Sequence, residues 1–152
     1  MSIKINIKFI LNIFILIIPI LTIKSPEVIY LNEDNFESNV YSSNEMWLIE
    51  IYSEKCESCA SFESIWKQLI NKVDYLSLGR INIDEPKGMK VATKLNALEN
   101  GIPALKLIIS KEDIVDIMTG IEEPFPNSRD LKRRIEKALK EKRKFEDLWI
   151  LI

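Results

Sequence analysis

The run MWLIEIY, Met46 to Tyr52, sets the tightest limit on what this chain can fold into. It is apolar at every position except Glu50, and a strand of that kind is stable only where both of its faces are covered. Covering both faces takes helices on either side of a sheet, so a single α/β domain is expected. The chain from Val28 onward supplies the parts, alternating strand-like and helix-like segments with no internal repeat and no low-complexity linker. Its 152 residues leave room for one domain that can bury enough apolar surface to fold without a metal or a disulfide.

The segments read in order as β-α-β-α-β-α-β-β-α. VIYL (Val28 to Leu31) is a short β-rich run, and NEDNFESN after it is a brief helix capped by Asn32 or Asp34. After the central run, Phe62, Trp66, Leu69 and Val73, widened by Ile65 and Ile70, repeat at helical spacing, and Cys59 lies on the same stripe one turn earlier. YLSLGRINID (Tyr75 to Asp84) is a further strand, and Pro86 can open the helix PKGMKVATKLN. ALKLIIS and DIVDIM, separated by Lys111 and Glu112, form a hairpin. The last helix starts near Ser128, taken as its N-cap, with Leu131, Ile135, Ala138 and Leu139 as the buried stripe.

Composition closes several functional classes. The chain is 47% hydrophobic and 29% charged with a net charge of −2, which gives no sign of a nucleic-acid partner. It has no histidine, so Ser-His-Asp and Cys-His schemes are closed and the usual metal ligand is missing. At the start, Lys4 and Lys8 precede FILNIFILIIPILTI, Phe9 to Ile23, which carries no charge. These 15 residues are fewer than the roughly 20 that a spanning helix needs, and Asn12 and Pro19 weaken a span further. Residues 1–25 therefore read as a signal peptide, cut near Ser25, with an uncleaved anchor as the alternative and membrane association only in that case. Either delivers residues 26–145 to a compartment where a dithiol can cycle.

Cys56 and Cys59 are the only cysteines, and they fall where the second strand meets the second helix. The first turn of a helix offers unpaired N–H groups and a partial positive charge, both of which favour a thiolate. A larger thiolate fraction speeds attack on a disulfide at neutral pH. Cys56 is then the exposed nucleophile and Cys59, on the buried face, resolves the mixed disulfide. Glu50 is costly inside an apolar strand unless it has a task. Burial should raise its pKa and let it take and return the proton of Cys59 through a water, whereas on an edge strand it would point to solvent. The competing roles for the cysteines are weaker. Zinc needs about four ligands. A disulfide across two residues closes too small a loop to stabilise much, and an inert thiol is awkward at Cys56 beside Glu54, Lys55 and Glu57.

Three pieces in order carry a family resemblance: VIYLNEDNFESNV, WLIEIYSEKCESC and GIPALKLI. Over about Val28 to Lys144 the chain resembles the thioredoxin superfamily, and within it a single protein disulfide isomerase domain. The resemblance implies a thioredoxin-like three-layer fold with a mixed central sheet flanked by helices. It implies that Cys56 and Cys59 are the active pair, Glu50 the buried acid, Pro103 the cis-proline facing the cysteines, and Ile102 the donor of backbone groups to an extended substrate. The expected activity is thiol-disulfide exchange on protein clients in the secretory pathway, with no metal or organic cofactor. The rival is a redox-weak thioredoxin-like module that binds unfolded clients near Pro103.

The departures from the isomerase pattern Trp-Cys-Gly-His-Cys are informative. Lys55 stands for the tryptophan, Glu57 for the glycine and Ser58 for the histidine. Ser58 offers a hydrogen bond without a positive charge, Glu57 adds a negative one and Lys55 partly offsets it, so a less oxidising pair is expected. KLNALENGIP is about two residues longer than the common pattern. The arginine usual near the final segment has no counterpart, since Ile121 follows Gly120 and Arg129 belongs to the solvated face of the basic last helix. The end, FEDLWILI, carries no Lys-Asp-Glu-Leu signal, so secretion or signal anchoring stands beside the endoplasmic reticulum lumen as a destination. The apolar tail, residues 146–152, is expected to extend the last helix or cover an exposed patch.

Overall fold

The computed structural model describes residues 26–149. The expected signal or anchor segment, and the last three residues of the apolar tail, lie outside the described residues.

Five strands, β1 (Val28–Tyr30), β2 (Trp47–Tyr52), β3 (Ser77–Asn82), β4 (Ala104–Ser110) and β5 (Asp113–Met118), form one sheet in the order β1-β3-β2-β4-β5. β2 runs parallel to β3, which runs parallel to β1, while β4 lies antiparallel to β2 and pairs with β5 in the expected hairpin. The sheet is therefore mixed, with MWLIEIY at its centre. All six residues of β2 are buried, Glu50 included.

Alternation along β2 divides the core in two. Trp47, Ile49 and Ile51 face a layer that includes Phe36, Val40 and α2 (Pro86–Lys94), which contributes Val91 and Ala92. Leu48 faces the other layer, where α1 (Glu57–Ile70) inserts Phe62, Trp66 and Leu69 and α3 (Ser128–Trp149) inserts Leu131 and Ile135. Glu50, two residues beyond Leu48, points to that second layer, beneath the helix that follows the cysteines.

Two local readings are corrected. The brief helix after β1 is a five-residue π-helical turn, Glu37–Tyr41, closed by the Ser42 N–H on the Glu37 carbonyl five residues back. The Asn32 side chain ties the loop before it by accepting the Asp34 N–H. At α3 the cap is Asn127, whose Oδ1 accepts the N–H groups of Arg129 and Asp130 at 3.0 and 3.1 Å. Ser128 is instead buried, its hydroxyl 2.6 Å from Lys72 Nζ and 3.3 Å from Gln68 Oε1, which docks α3 on the end of α1.

Candidate active site

β2 ends at Tyr52, and the chain reaches α1 through Ser53, Glu54 and Lys55. Asp84, just past β3, braces this loop: its two oxygens accept the Ser53 hydroxyl at 2.9 Å and the Glu54 N–H at 2.8 Å. Ser53 Oγ in turn accepts the Lys55 N–H at 3.0 Å. The loop thus delivers Cys56 to a fixed place. Lys55 Nζ lies 3.7 Å from Asp84, so its ammonium turns to the brace. Glu57 is exposed in the first turn of α1.

Cys56 is the N-cap of α1. Its backbone is extended (φ −95°, ψ 115°) and its sulfur accepts the Cys59 N–H at 3.1 Å, one of the donors a helix start leaves unpaired. Cys56 and Cys59 are joined in a disulfide, with their Cα atoms 5.2 Å apart. Cys56 is partly exposed and Cys59 buried, so an approaching thiol or disulfide reaches the sulfur of Cys56 first.

The Ile102–Pro103 bond is cis, and the Ile102 carbonyl oxygen lies 3.9 Å from Cys56 Sγ. Ser58 links the two segments, its hydroxyl 3.0 Å from Cys56 Sγ and 3.3 Å from the Ile102 oxygen. The hydroxyl has one proton and faces two acceptors. Gly120 sits against the same segment so closely that a Cβ there would lie 2.4 Å from Ile102 N and 2.7 Å from its carbonyl oxygen.

Beneath α1, Glu50 is fully buried and meets an arginine that sequence reasoning did not find. Arg80 is the register partner of Glu50 across the parallel β2–β3 pair, and its Nε lies 2.6 Å from Glu50 Oε2. The contact is off the hydrogen-bond direction, so it is an ion pair in which neither Glu50 oxygen has an aligned donor among the described residues. Arg80 Nη2 bonds Glu63 Oε2 of α1 at 2.8 Å, and its guanidinium lies 4.1 Å from the centroid of the Tyr52 ring. Burial pushes the Glu50 carboxyl up to about 7 against the opposing pull of Arg80, and Glu63 adds a smaller push upward. A carboxyl of that affinity can both take and return a proton at neutral pH. No local pattern marks Arg80, because GRIN reads as ordinary strand; only the pairing of β2 with β3 puts it beside Glu50. Arg129 is exposed, and Ile121 is 72% exposed.

The arrangement needs no deep cleft. A groove of 530 Å³ lined by Met46, Tyr75, Ile109 and Leu139 lies at the other end of β2 from the cysteines.

Comparison with known proteins bears on the family and the fold. The family profile described as Thioredoxin matches residues 27–135. Human protein disulfide-isomerase A6 is 27% identical over 97 residues, covering 62% of this chain and 22% of the relative. A putative protein disulfide-isomerase of Dictyostelium discoideum is 30% identical over 105 residues, covering 63% and 25%. The chain thus spans about a quarter or less of the length of these relatives. Among solved structures, the J-Trx1 fragment of ERdj5 superposes with a TM-score of 0.59 at 21% identity, covering 75% of this chain and 51% of that one. A chain of the complex of ferredoxin:thioredoxin reductase with thioredoxin f2 gives 0.56 at 20% identity, covering 74% and 94%.

Proposed function

The chain belongs to the thioredoxin family, and from that membership we propose that it is a thiol-disulfide oxidoreductase of the protein disulfide isomerase kind, acting on thiols and disulfides of other proteins. The observation that carries the reading is the division of labour between the two sulfurs, one partly exposed at a helix start and the other buried one turn on.

In the reducing direction the Cys56 thiolate attacks one sulfur of a client disulfide, forming a mixed disulfide and releasing the client's other sulfur as a thiolate. Glu50 takes the Cys59 proton through an intervening water. Cys59 sulfur then attacks Cys56 sulfur, the second client sulfur leaves, and the dithiol has become the disulfide. The two protons given up by Cys56 and Cys59 end on the two client sulfurs. The Cys59 N–H and the Ser58 hydroxyl stabilise the Cys56 anion. The backbone at Ile102, beside cis-Pro103, offers an extended client segment a place to pair. With serine at position 58 and the Lys55 ammonium turned to Asp84, the pair should be a weaker oxidant than an isomerase with histidine at position 58. The secretory pathway, with the endoplasmic reticulum lumen foremost, is the compartment proposed from the charged and apolar start of the chain.

Insulin reduction with a thiol reductant tests the reading. The expected result is turnover by the wild type and none by Cys56→Ser, while Cys59→Ala accumulates mixed disulfides with clients. Equal activity of wild type and Cys56→Ser would favour the client-binding module instead.

A further inference from the structure

Arg80 stands between two carboxylates of very different exposure. Glu50 is 0% exposed, the Arg80 side chain 13% and Glu63 33%, so the three charges step outward from the core to water. Glu63 lies four residues after Cys59, one turn along the helix that begins at the active disulfide. Its other oxygen, Oε1, is 3.3 Å from Lys67 Nζ. The remaining charged or titratable neighbours are few. β1 brings Tyr30, the register partner of Arg80, β2 brings Tyr52, under the guanidinium, and α1 carries Cys59, buried one turn before Glu63. β4 presents Leu105 opposite Glu50, and the buried face of α3 presents Leu131 and Ile135.

One guanidinium facing two carboxylates leaves the trio one negative charge in excess when both are ionised. Binding one proton removes that excess, and the buried member has most to gain from being neutral. Without the outer carboxylate, the whole attraction of Arg80 falls on Glu50 and a neutral pair forms with no proton taken up. The sharing of Arg80 therefore decides whether the acid under the active helix can change its protonation during turnover.

We propose that Glu63 is a positioning residue for the exchange reaction: by holding the outer side of Arg80 it keeps that guanidinium divided, and so keeps Glu50 able to bind and release a proton. The mechanistic part rests on the proposed oxidoreductase activity; the coupling among the three side chains does not. Glu63 acts only through Arg80, and Lys67 moderates it from the solvent side. A surface ion pair that merely fastened α1 to β3 would contribute little and would leave the Glu50 titration unmoved.

Carbon NMR titration of the Glu50 carboxyl in the reduced protein, wild type against Glu63→Gln, reads the coupling directly and needs no activity. The expected result is a midpoint lower in Glu63→Gln by about one pH unit, with the amide spectrum of a folded protein. Glu63→Ala should give the same shift, which guards against an effect peculiar to glutamine. In insulin reduction, the acid limb of the pH profile should move down by the same amount and vanish in Glu50→Gln. An unchanged Glu50 midpoint in folded Glu63→Gln and Glu63→Ala would overturn the proposal. A shifted midpoint in a protein that reduces no insulin at any pH would uphold the coupling and reject the oxidoreductase reading.

Discussion

Glu50 was legible because it interrupts an apolar run, where a carboxyl has to be explained. Arg80 was not, because its meaning depends on a register between strands about 30 residues apart, and no local pattern carries that register. The carboxyl also marks how stability should depend on pH. The fold raises Glu50 to about 7 from an ordinary 4.5, so it binds the proton more tightly than the unfolded chain does. Its stabilising contribution is complete below about 4.5 and is lost as pH rises through about 7. Glu50→Gln, which keeps the shape and discards the charge, should stabilise the oxidised protein by about 1–3 kcal/mol near pH 9 and change it little near pH 4.5. Urea unfolding at the two pH values checks this; a variant less stable at high pH than the wild type would show that the ion pair with Arg80 outweighs the cost of burying the charge.

Helix and strand identities were mostly readable from periodicity, and their ends were not. Ser128 looked like a cap from its residue type, yet Asn127 has the side chain that reaches back to two N–H groups, and Ser128 is drawn into the contact with Lys72 and Gln68. The active-site loops show the same limit. The Cys56 cap follows from the C-x-x-C spacing, whereas the Asp84 brace joins residues about 30 apart. Gly120 is the third such case. Nothing around it in the sequence says that it lies against the backbone of Ile102. Gly120→Ala must displace that segment relative to Cys56, so it should lower kcat/KM for insulin reduction by about 10–100-fold. The accompanying loss of stability should be about 1–3 kcal/mol in thermal or urea unfolding. Full activity in Gly120→Ala would mean that the position of Ile102 does not matter for exchange.

At the scale of the molecule, one sheet with helices on both faces does two things for the cysteines. Burying β2 on both sides gives the loop that leaves it a rigid origin, and placing α1 over Glu50 puts a proton-binding group in the layer beneath the helix that holds both sulfurs. The layered fold was readable because a strand apolar on both faces leaves few other architectures. The order β1-β3-β2-β4-β5 was not, since apolar runs do not say which of their neighbours they pair with. The proposed function turns on one asymmetry: the sulfur at the helix start is partly exposed and its partner is buried, so the first is proposed as the reactive one. Reducing the protein and exposing it at neutral pH to a limiting amount of iodoacetamide, then locating the label by peptide mass spectrometry, tests that asymmetry most directly. Label is expected on Cys56, acquired faster than by a free cysteine, with Cys59 almost untouched; label shared equally, or favouring Cys59, would refute the asymmetry.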